Sequence, residues 1–113
     1  MSMSVRKLGL LAELSGLLGM STTDREILAL LLRTKKKLYV SEITAWLKRS
    51  ERAVRGRLGF LHRMGLVRRE PVITKRGKRA YRYFTLQTHE LIKSAREEML
   101  RRLHRLERRL RRT

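Results

Sequence analysis

The sequence predicts a mainly α-helical fold with a small antiparallel β-hairpin, formed by one domain over residues 1–113. Apolar residues recur at helical spacing toward both ends of the chain, whereas an alternating, aromatic-rich stretch lies between residues 66 and 86. Glycines and capping residues separate the segments. A chain of 113 residues builds one modest hydrophobic core and is too short for two ordinary ones.

In the N-terminal segment, residues 1–20, the apolar spacing predicts a helix over residues 3–18. Gly16 and Gly19 then loosen the chain. Its broad apolar arc consists of Val5, Leu8, Leu10, Leu11, Leu14, Leu17 and Leu18.

A capping box predicts where the second helix begins, with Thr23 as N-cap and Glu26 reaching back to it. This helix runs to about Arg33 and is followed by the basic stretch Lys35–Lys37. Its core residues are predicted to be Ile27, Leu28, Leu30, Leu31 and Leu32.

A short strand is predicted at Leu38–Val40, and Ser41 is expected to cap the third helix. The buried side of that helix is predicted to be Ile43, Ala45 or Trp46, and Leu47. Ser50 is expected to cap a fourth helix over residues 51–64, which Gly65 ends.

Residues 66–70 are expected to be extended, and Pro71 to begin a hairpin that returns as a strand over residues 80–86. The last segment, residues 87–113, predicts one long helix because residues 88–112 contain no Gly or Pro. The middle segment, residues 21–86, therefore holds a tight pair of helices followed by a two-stranded basic wing.

Three stretches of this middle segment match a known pattern. They are Val40-Ser41-Glu42-Ile43, Ser50-Glu51-Arg52-Ala53-Val54-Arg55, and Leu58-x-x-Leu61-x-x-x-Gly65-Leu66-Val67. Over residues 41–86 the chain resembles archaeal and bacterial winged helix-turn-helix transcription regulators of the MarR, ArsR and TrmB-like type. The resemblance implies that the fourth helix reads the major groove of double-stranded DNA.

Charge supports a nucleic-acid partner. The chain has 29 Lys and Arg against 10 Asp and Glu, a formal net charge of +19. Residues 48–82 alone contain thirteen Lys or Arg and two Glu, a local charge of +11. An excess this concentrated is typical of a binding footprint for a polyanion, with nucleic acid first and an anionic membrane surface second.

On the fourth helix, Val54, Leu58 and Leu61 share the buried face, widened by Ala53, Phe60 and Met64. The predicted DNA-binding residues of this helix are Ser50, Arg52, Arg55, Gly56, Gly59 and Arg63. Two glycines inside a helix cost about 1 kcal/mol each relative to alanine, so their presence needs a reason. A close approach of the helix backbone to the DNA groove is the favoured one. A solvated face with two tolerated glycines is the alternative. His62 lies at the edge of this face, where an idle surface histidine is favoured over a phosphate contact.

The wing tip supplies the second predicted DNA contact, on the backbone or in the minor groove. Its residues are Lys75, Arg76, Gly77, Lys78 and Arg79, with Gly77 providing a positive φ for the turn. Tyr81, Tyr83 and Phe84 on the returning strand are expected to pack in the core and wing and not to stack on bases.

The long C-terminal helix carries apolar residues that step by three and four, close to a coiled-coil seam. The seam consists of Ile92, Ala95, Met99, Leu103, Leu106 and Leu110. We expect this seam to pack on the N-terminal helix of the same chain and on a second subunit, giving a homodimer. Arg108 and Arg109 are candidates for flanking phosphate contacts, with a solvated helix end as the alternative.

No cysteine is present, and His62, His89 and His104 lack metal-ligand spacing, so neither a metal nor a cofactor is expected. No catalytic motif occurs, which argues against an enzyme. The absence of Asn and the single Gln predict a thermophilic source, and the resemblance to winged-helix regulators implies an archaeal one. The longest apolar stretch, residues 8–20, is too short to cross a membrane, and a cytoplasmic, nucleoid-associated protein is expected.

The sequence thus predicts a DNA-binding transcription regulator, and no residue cluster identifies a small-molecule effector. A chromatin-type protein that coats duplex DNA, an RNA-binding protein and a protein-interaction adaptor remain as alternatives.

Overall fold

The structure is a computed structural model that describes residues 5–112. Its elements follow the predicted order of helix, helix, strand, helix, helix, strand, strand and helix. They are α1 (Val5–Leu18), α2 (Thr22–Thr34), β1 (Leu38–Tyr39), α3 (Val40–Leu47), α4 (Glu51–Arg63), β2 (Val67–Ile73), β3 (Arg79–Thr85) and α5 (Thr88–Arg111). The winged helix-turn-helix architecture with a long C-terminal helix is confirmed.

The sheet contains three strands in the order β1-β3-β2, because β1 pairs with β3 on the side opposite to β2. All pairs are antiparallel, and β2 faces β3 in a register that sets Val67 opposite Thr85 and Ile73 opposite Arg79. Pro71 does not begin the hairpin as predicted but lies within β2. Because β2 is an edge strand, the missing proline N–H leaves the sheet intact.

The core joins all five helices to the base of the sheet. Its fully buried residues include Ile27, Leu28, Leu30 and Leu31 of α2, as predicted, together with Ile43, Val54, Leu58, Leu61, Leu66 and Leu91. In α1 only the Leu11, Leu14 and Leu18 part of the predicted arc is buried. Leu8, Leu10 and Leu17 are exposed, so the predicted arc is wider than the face that the core covers.

The predicted N-cap of α2 is wrong. The cap is Ser21, whose side chain accepts a hydrogen bond from the Asp24 N–H at 3.1 Å, while the Asp24 carboxylate accepts one from the Ser21 N–H at 2.9 Å. The capping box is therefore shifted by two residues from Thr23 and Glu26. The carboxylate of Glu26 is free to bind Arg49.

The start and the buried face of α3 also differ from the prediction. The helix begins at Val40, and the Tyr39 N–H donates to Glu42 Oε1 at 3.0 Å, so Ser41 is not the cap. Val40 and Ile43 are buried, whereas Trp46 is 63% exposed and Ala45 is exposed too. Only eight residues long, the helix buries one narrow stripe.

A tight turn joins α3 to α4. Lys48 has a left-handed backbone with φ 54°, and its N–H donates to the Thr44 carbonyl at 2.8 Å. This conformation ends α3 and turns the chain at once toward Ser50. The short connection fixes the two helices of the motif relative to each other.

Candidate nucleic-acid interface

Helix α4 has well-defined ends, as predicted. Ser50 is its N-cap and accepts a hydrogen bond from the Ala53 N–H at 3.1 Å. Gly65 follows the helix with φ +76°, and the Leu66 N–H reaches back to the Leu61 carbonyl at 3.0 Å. A glycine in this left-handed position stops the helix without steric strain. The helix is therefore held at both ends by local interactions.

The buried face of α4 is the predicted one, with Val54, Leu58 and Leu61 all fully buried. Met64 is also buried and Phe60 is half-buried, but Ala53 is exposed and does not widen the core face as predicted. The opposite face of the helix is consequently turned to solvent.

A buried ion pair that the sequence did not predict fixes α4 against α2. The Arg57 guanidinium donates to both carboxylate oxygens of Asp24, at 2.6 and 2.7 Å, and the Asp24 side chain has no exposed surface. Burial alone would raise the pKa of Asp24, but the hydrogen bonds from Arg57 and from the Ser21 N–H lower it below its ordinary value. Asp24 is thus ionised when it caps α2 and anchors α4.

The exposed face of α4 presents the predicted recognition residues. Arg52, Arg55, Gly56 and Arg63 are exposed, and Gly59 is half-buried. Arg55 is bonded to Glu51 one turn earlier, at 2.7 and 2.8 Å, and both side chains are largely exposed. This pair must open or share its guanidinium before Arg55 contacts another anion.

The two glycines of this face have no internal structural requirement. A Cβ atom added at Gly56 meets no atom within 4 Å, and one added at Gly59 comes no closer than 3.4 Å, to the tip of Arg63. Neither glycine has a positive φ. Packing among residues 5–112 therefore does not require glycine at either position.

The wing tip is a closed turn from Thr74 to Lys78. The Thr74 N–H donates to the Lys78 carbonyl and the Gly77 N–H to the Thr74 carbonyl, both at 2.8 Å. Gly77 has φ +75°, as expected for the turn. Lys75, Arg76, Lys78 and Arg79 are all exposed, so the tip concentrates four cations in five consecutive positions around one glycine.

The base of the wing is held by a second ionic cluster. Lys37 donates to Glu70 at 2.8 Å, and Arg82 donates to the other carboxylate oxygen. The hydrogen bond from Lys37, together with that from Arg82, lowers the pKa of Glu70 below its ordinary value. Lys37 also lies 5.0 Å from the centroid of the Phe84 ring. These contacts tie β2 and β3 to the loop before β1.

Apart from Arg55, which pairs with Glu51 of its own helix, the ion pairs divide the cations of residues 48–82 into two groups. Arg49, Arg57 and Arg82 bind acidic residues of distant segments and are structural. Nine others have no acidic partner among residues 5–112: Lys48, Arg52, Arg63, Arg68, Arg69, Lys75, Arg76, Lys78 and Arg79. Most of this group belongs to the exposed face of α4 and to the wing, so the charge excess is concentrated there.

Arg69 is a residue of this surface that the sequence analysis did not single out. It shares one face of β2 with the buried Val67, and its partner in β3 is the buried Tyr83. Strand alternation therefore puts Arg69 on the sheet face toward α4. Counting in steps of two from Val67 along the predicted strand could have identified Arg69 as a residue of this face.

The aromatic side chains of β3 divide between core and wing. Tyr83 is buried, as expected, and Tyr81 is 43% exposed beside it with the ring centroids 6.3 Å apart. The Arg69 guanidinium covers Tyr81 at 4.2 Å from the ring centroid. Tyr81 therefore supports Arg69 and is not an open stacking platform.

The predicted seam of α5 is only partly buried. Ala95 is buried and Met99 packs on the core, whereas Ile92 is 38% exposed, Leu103 53%, Leu106 58% and Leu110 76%. The stripe that faces the rest of the chain is Leu91, Ala95 and Glu98, where Glu98 binds Arg101 and Arg102. Within residues 5–112, the C-terminal half of the seam is therefore largely exposed.

An open groove of about 920 Å³ lies between α1, the end of α2, β3 and the start of α5. Its lining includes Leu10, Leu31, Leu32 and Leu86 together with Lys35, Lys36 and Lys37. Among the described residues no group of metal-ligating side chains occurs. Within residues 5–112 every helix is too short or too polar to cross a membrane.

No protein-family model matches the chain, and no curated protein matches it in sequence. Solved structures, in contrast, share its fold. A possible transcriptional regulator from Methanosarcina mazei Go1 superposes with a TM-score of 0.68 at 15% identity, covering 86% of this chain and 82% of the other. The ST1889 protein of the thermoacidophilic archaeon Sulfolobus tokodaii gives 0.62 at 22% identity, covering 85% and 89%.

A mutant of S. aureus MepR bound to an oligodeoxyribonucleotide gives a TM-score of 0.57 at 18% identity, covering 93% of this chain and 73% of the other. At these identities the likeness concerns the fold. The chain has the winged-helix fold of these proteins, as the sequence resemblance implied.

Proposed function

We propose that the protein is a sequence-specific, double-stranded DNA-binding transcription regulator that acts as a homodimer. The observation that carries the proposal is the set of exposed cations without acidic partners on α4 and the wing. Leaving like charges together destabilises a free protein, and a polyanion removes that cost. A winged-helix neighbour, the MepR mutant, is bound to an oligodeoxyribonucleotide, which supports DNA as the polyanion.

In this proposal α4 lies in the major groove. An α-helix fits that groove, and an arginine such as Arg52 can donate two hydrogen bonds to a guanine edge. Gly56 and Gly59 let the helix backbone approach the bases. This accounts for glycine at two positions where packing within the protein does not require it. The wing tip then contacts the backbone or the minor groove through Lys75 and Arg76.

The homodimer is proposed from exposed apolar side chains on α1 and α5, two helices that contact each other. Leu8 and Leu17 of α1 are 49% and 62% exposed, and Leu103 and Leu106 of α5 are 53% and 58% exposed. Large apolar side chains exposed on adjacent helices are typical of an interface. A second copy of the chain supplies the same face, which a two-fold dimer requires.

Charge indicates the orientation of the two α5 helices. Residues 100–112 contain seven Arg and one Glu, so two parallel C-terminal ends would lie side by side with like charge. An antiparallel arrangement separates the ends and puts each near the partner's Glu90 and Glu97, which are exposed. We therefore expect α5 to cross its symmetry mate in the antiparallel sense.

Replacing Leu103 by glutamate is expected to dissociate the dimer, because it puts two carboxylates into an apolar seam. Burying one leucine contributes about 2 kcal/mol, so the dimer dissociation constant should rise at least tenfold. Duplex affinity should fall in parallel, since only one half-site remains occupied. Sedimentation velocity over a concentration series and a duplex titration measure the two effects.

The matched control is Arg105→Gln, which also lowers the charge by one. Position 105 lies about 200° around α5 from Leu103, on the side where Arg105 reaches Glu98 at 3.9 Å. It should leave the dimer unchanged. If the Leu103→Glu variant stays dimeric at the same concentrations, the seam of α5 is not the dimer interface.

Specificity distinguishes a regulator from a protein that coats DNA. Duplexes selected from a random pool should yield a pseudo-palindromic motif with half-sites about 34 Å apart. A regulator should bind that motif at least about a thousandfold more tightly than random duplex of equal length at one salt concentration. A ratio near one means a chromatin-type coating protein, and preference for RNA of equal length rejects duplex DNA as the target.

A further inference from the structure

A group of polar side chains lies between the C-terminal end of α4 and the first strand of the wing. His62 and Arg63 come from α4, and Arg69 comes from β2. His62 is half-buried, whereas the two arginines are exposed. The Arg69 guanidinium rests on Tyr81, 4.2 Å from its ring centroid. The tyrosine ring therefore keeps Arg69 on the α4 side of the sheet.

No carboxylate of the described residues neutralises this group. Helix α4 packs against α2, α3 and β2. The acidic side chains of these elements are all engaged elsewhere: Asp24 by Arg57, Glu26 by Arg49, Glu42 by the Tyr39 N–H, and Glu70, on the other face of β2, by Lys37 and Arg82. Burial, followed by the positive charges of Arg69 and Arg63, lowers the pKa of His62 below its ordinary value.

We infer that His62, Arg63 and Arg69 bind one backbone phosphate of the duplex, and that His62 takes up a proton when it does so. The inference rests on the proposed function. With α4 in the major groove and the wing in the adjacent minor groove, the strand that separates the two grooves must pass between them. His62 and Arg69 occupy that gap. Two guanidinium groups and an imidazolium are strong donors to a phosphate oxygen.

The sign of the pH dependence follows from the two states of His62. In the free protein the ring is mostly neutral near pH 7, because burial and the neighbouring Arg69 and Arg63 hold the pKa of His62 below its ordinary value. A bound phosphate stabilises the protonated ring and raises the pKa of His62. Affinity therefore rises as pH falls through the interval between the two pKa values, by up to tenfold per pH unit and per subunit. Above and below this interval, His62 has the same protonation state in the free and the bound protein, so it contributes nothing to the pH dependence of affinity.

The direct test is a titration of the His62 ring by NMR in the full-length protein, with and without the selected duplex. Comparison with His62→Gln identifies the resonance. We expect the duplex to raise the pKa of His62 by about one unit or more. Lowering the pH from about 8 to about 6 should strengthen duplex binding about tenfold for the native protein and less than about threefold for His62→Gln.

Two further variants give matched comparisons. His104→Gln removes an exposed histidine of α5 and should keep the native pH dependence. His62→Lys carries a permanent charge and should bind at about pH 8 as tightly as the native protein binds at about pH 6.

The outcomes separate this inference from the proposed function. If the duplex binds but the pKa of His62 stays unchanged or falls, or if His62→Gln keeps the full pH dependence, the phosphate site is rejected and the proposed function stands. If no duplex binds at any pH, both are rejected.

Discussion

Replacing Arg57 by alanine is expected to lower the free energy of unfolding by about 3 kcal/mol, because it leaves a buried carboxylate without its cation. Asp24 is completely buried, and its two oxygens accept hydrogen bonds from Arg57 at 2.6 and 2.7 Å. Arg57 itself is 35% exposed, so the loss should lie at the lower end of the range for buried pairs. Denaturant unfolding at one fixed protein concentration measures it.

The penalty should depend on pH in a defined direction. In the native protein the pKa of Asp24 is lowered, so its contribution to stability is present above pH 4 and is lost as pH falls through the lowered pKa. In Arg57→Ala the burial remains without the cation, which raises that pKa and favours the protonated acid. The difference in stability between the two proteins should therefore be largest near neutral pH and should shrink in acid.

A double-mutant cycle provides the control. Asp24→Asn keeps the size of the side chain and an oxygen for the Ser21 N–H, and in that background Arg57→Ala should cost much less. Arg49→Ala breaks the more exposed pair with Glu26 and should cost less than about 1 kcal/mol. Equal losses for Arg57→Ala in both backgrounds contradict the ion pair as the cause.

Elements set by local patterns could be predicted from the sequence to within a residue or two. The bounds of α4 follow from Ser50 at one end and Gly65 at the other, and both act through neighbouring backbone groups. The cap of α2 was misplaced because three hydroxyl residues, Ser21, Thr22 and Thr23, stand in succession. Ser21 is the cap because it pairs with Asp24, which also binds Arg57, 33 positions away. That choice depends on tertiary structure.

The exposure of the candidate interface residues was predictable from the sequence, but the individual contacts of the arginines were not. Charge and spacing identified Arg52, Arg63 and the wing tip, all of which are exposed. Arg57 has the same chemistry and belongs to the same helix, yet it is bonded to buried Asp24. Which arginine is structural depends on the acid that α2 supplies.

The seam of α5 shows a similar limit. The spacing of three and four fits two stripes that differ by about one residue, one beginning at Leu91 and one at Ile92. Leu91 is buried because it faces the core, whereas Ile92 is 38% exposed. Glu98 is buried between arginines of its own helix, and hydrophobic periodicity cannot predict a buried acid.

Removing four cations of the interface is expected to weaken duplex binding at least about a thousandfold at about 0.1 M salt. The variant combines Arg52→Ala, Arg55→Ala, Lys75→Ala and Arg76→Ala. All four side chains are exposed, and three of them have no acidic partner within residues 5–112. The dependence of affinity on salt should also become weaker, by about 0.9 in the logarithmic slope for each phosphate contact that is lost. Fluorescence anisotropy over a salt series measures both quantities.

A charge-matched variant decides whether position or charge alone controls binding. Arg25→Ala, Arg33→Ala, Lys35→Ala and Lys36→Ala remove the same four charges from exposed sites on α2 and the loop after it. If long-range attraction to the +19 chain dominates, the two variants should lose affinity equally. Direct contacts by α4 and the wing predict a loss about a hundredfold larger for the first variant, since contact energies add to screened attraction. An adaptor that binds no DNA through this face predicts no loss in either.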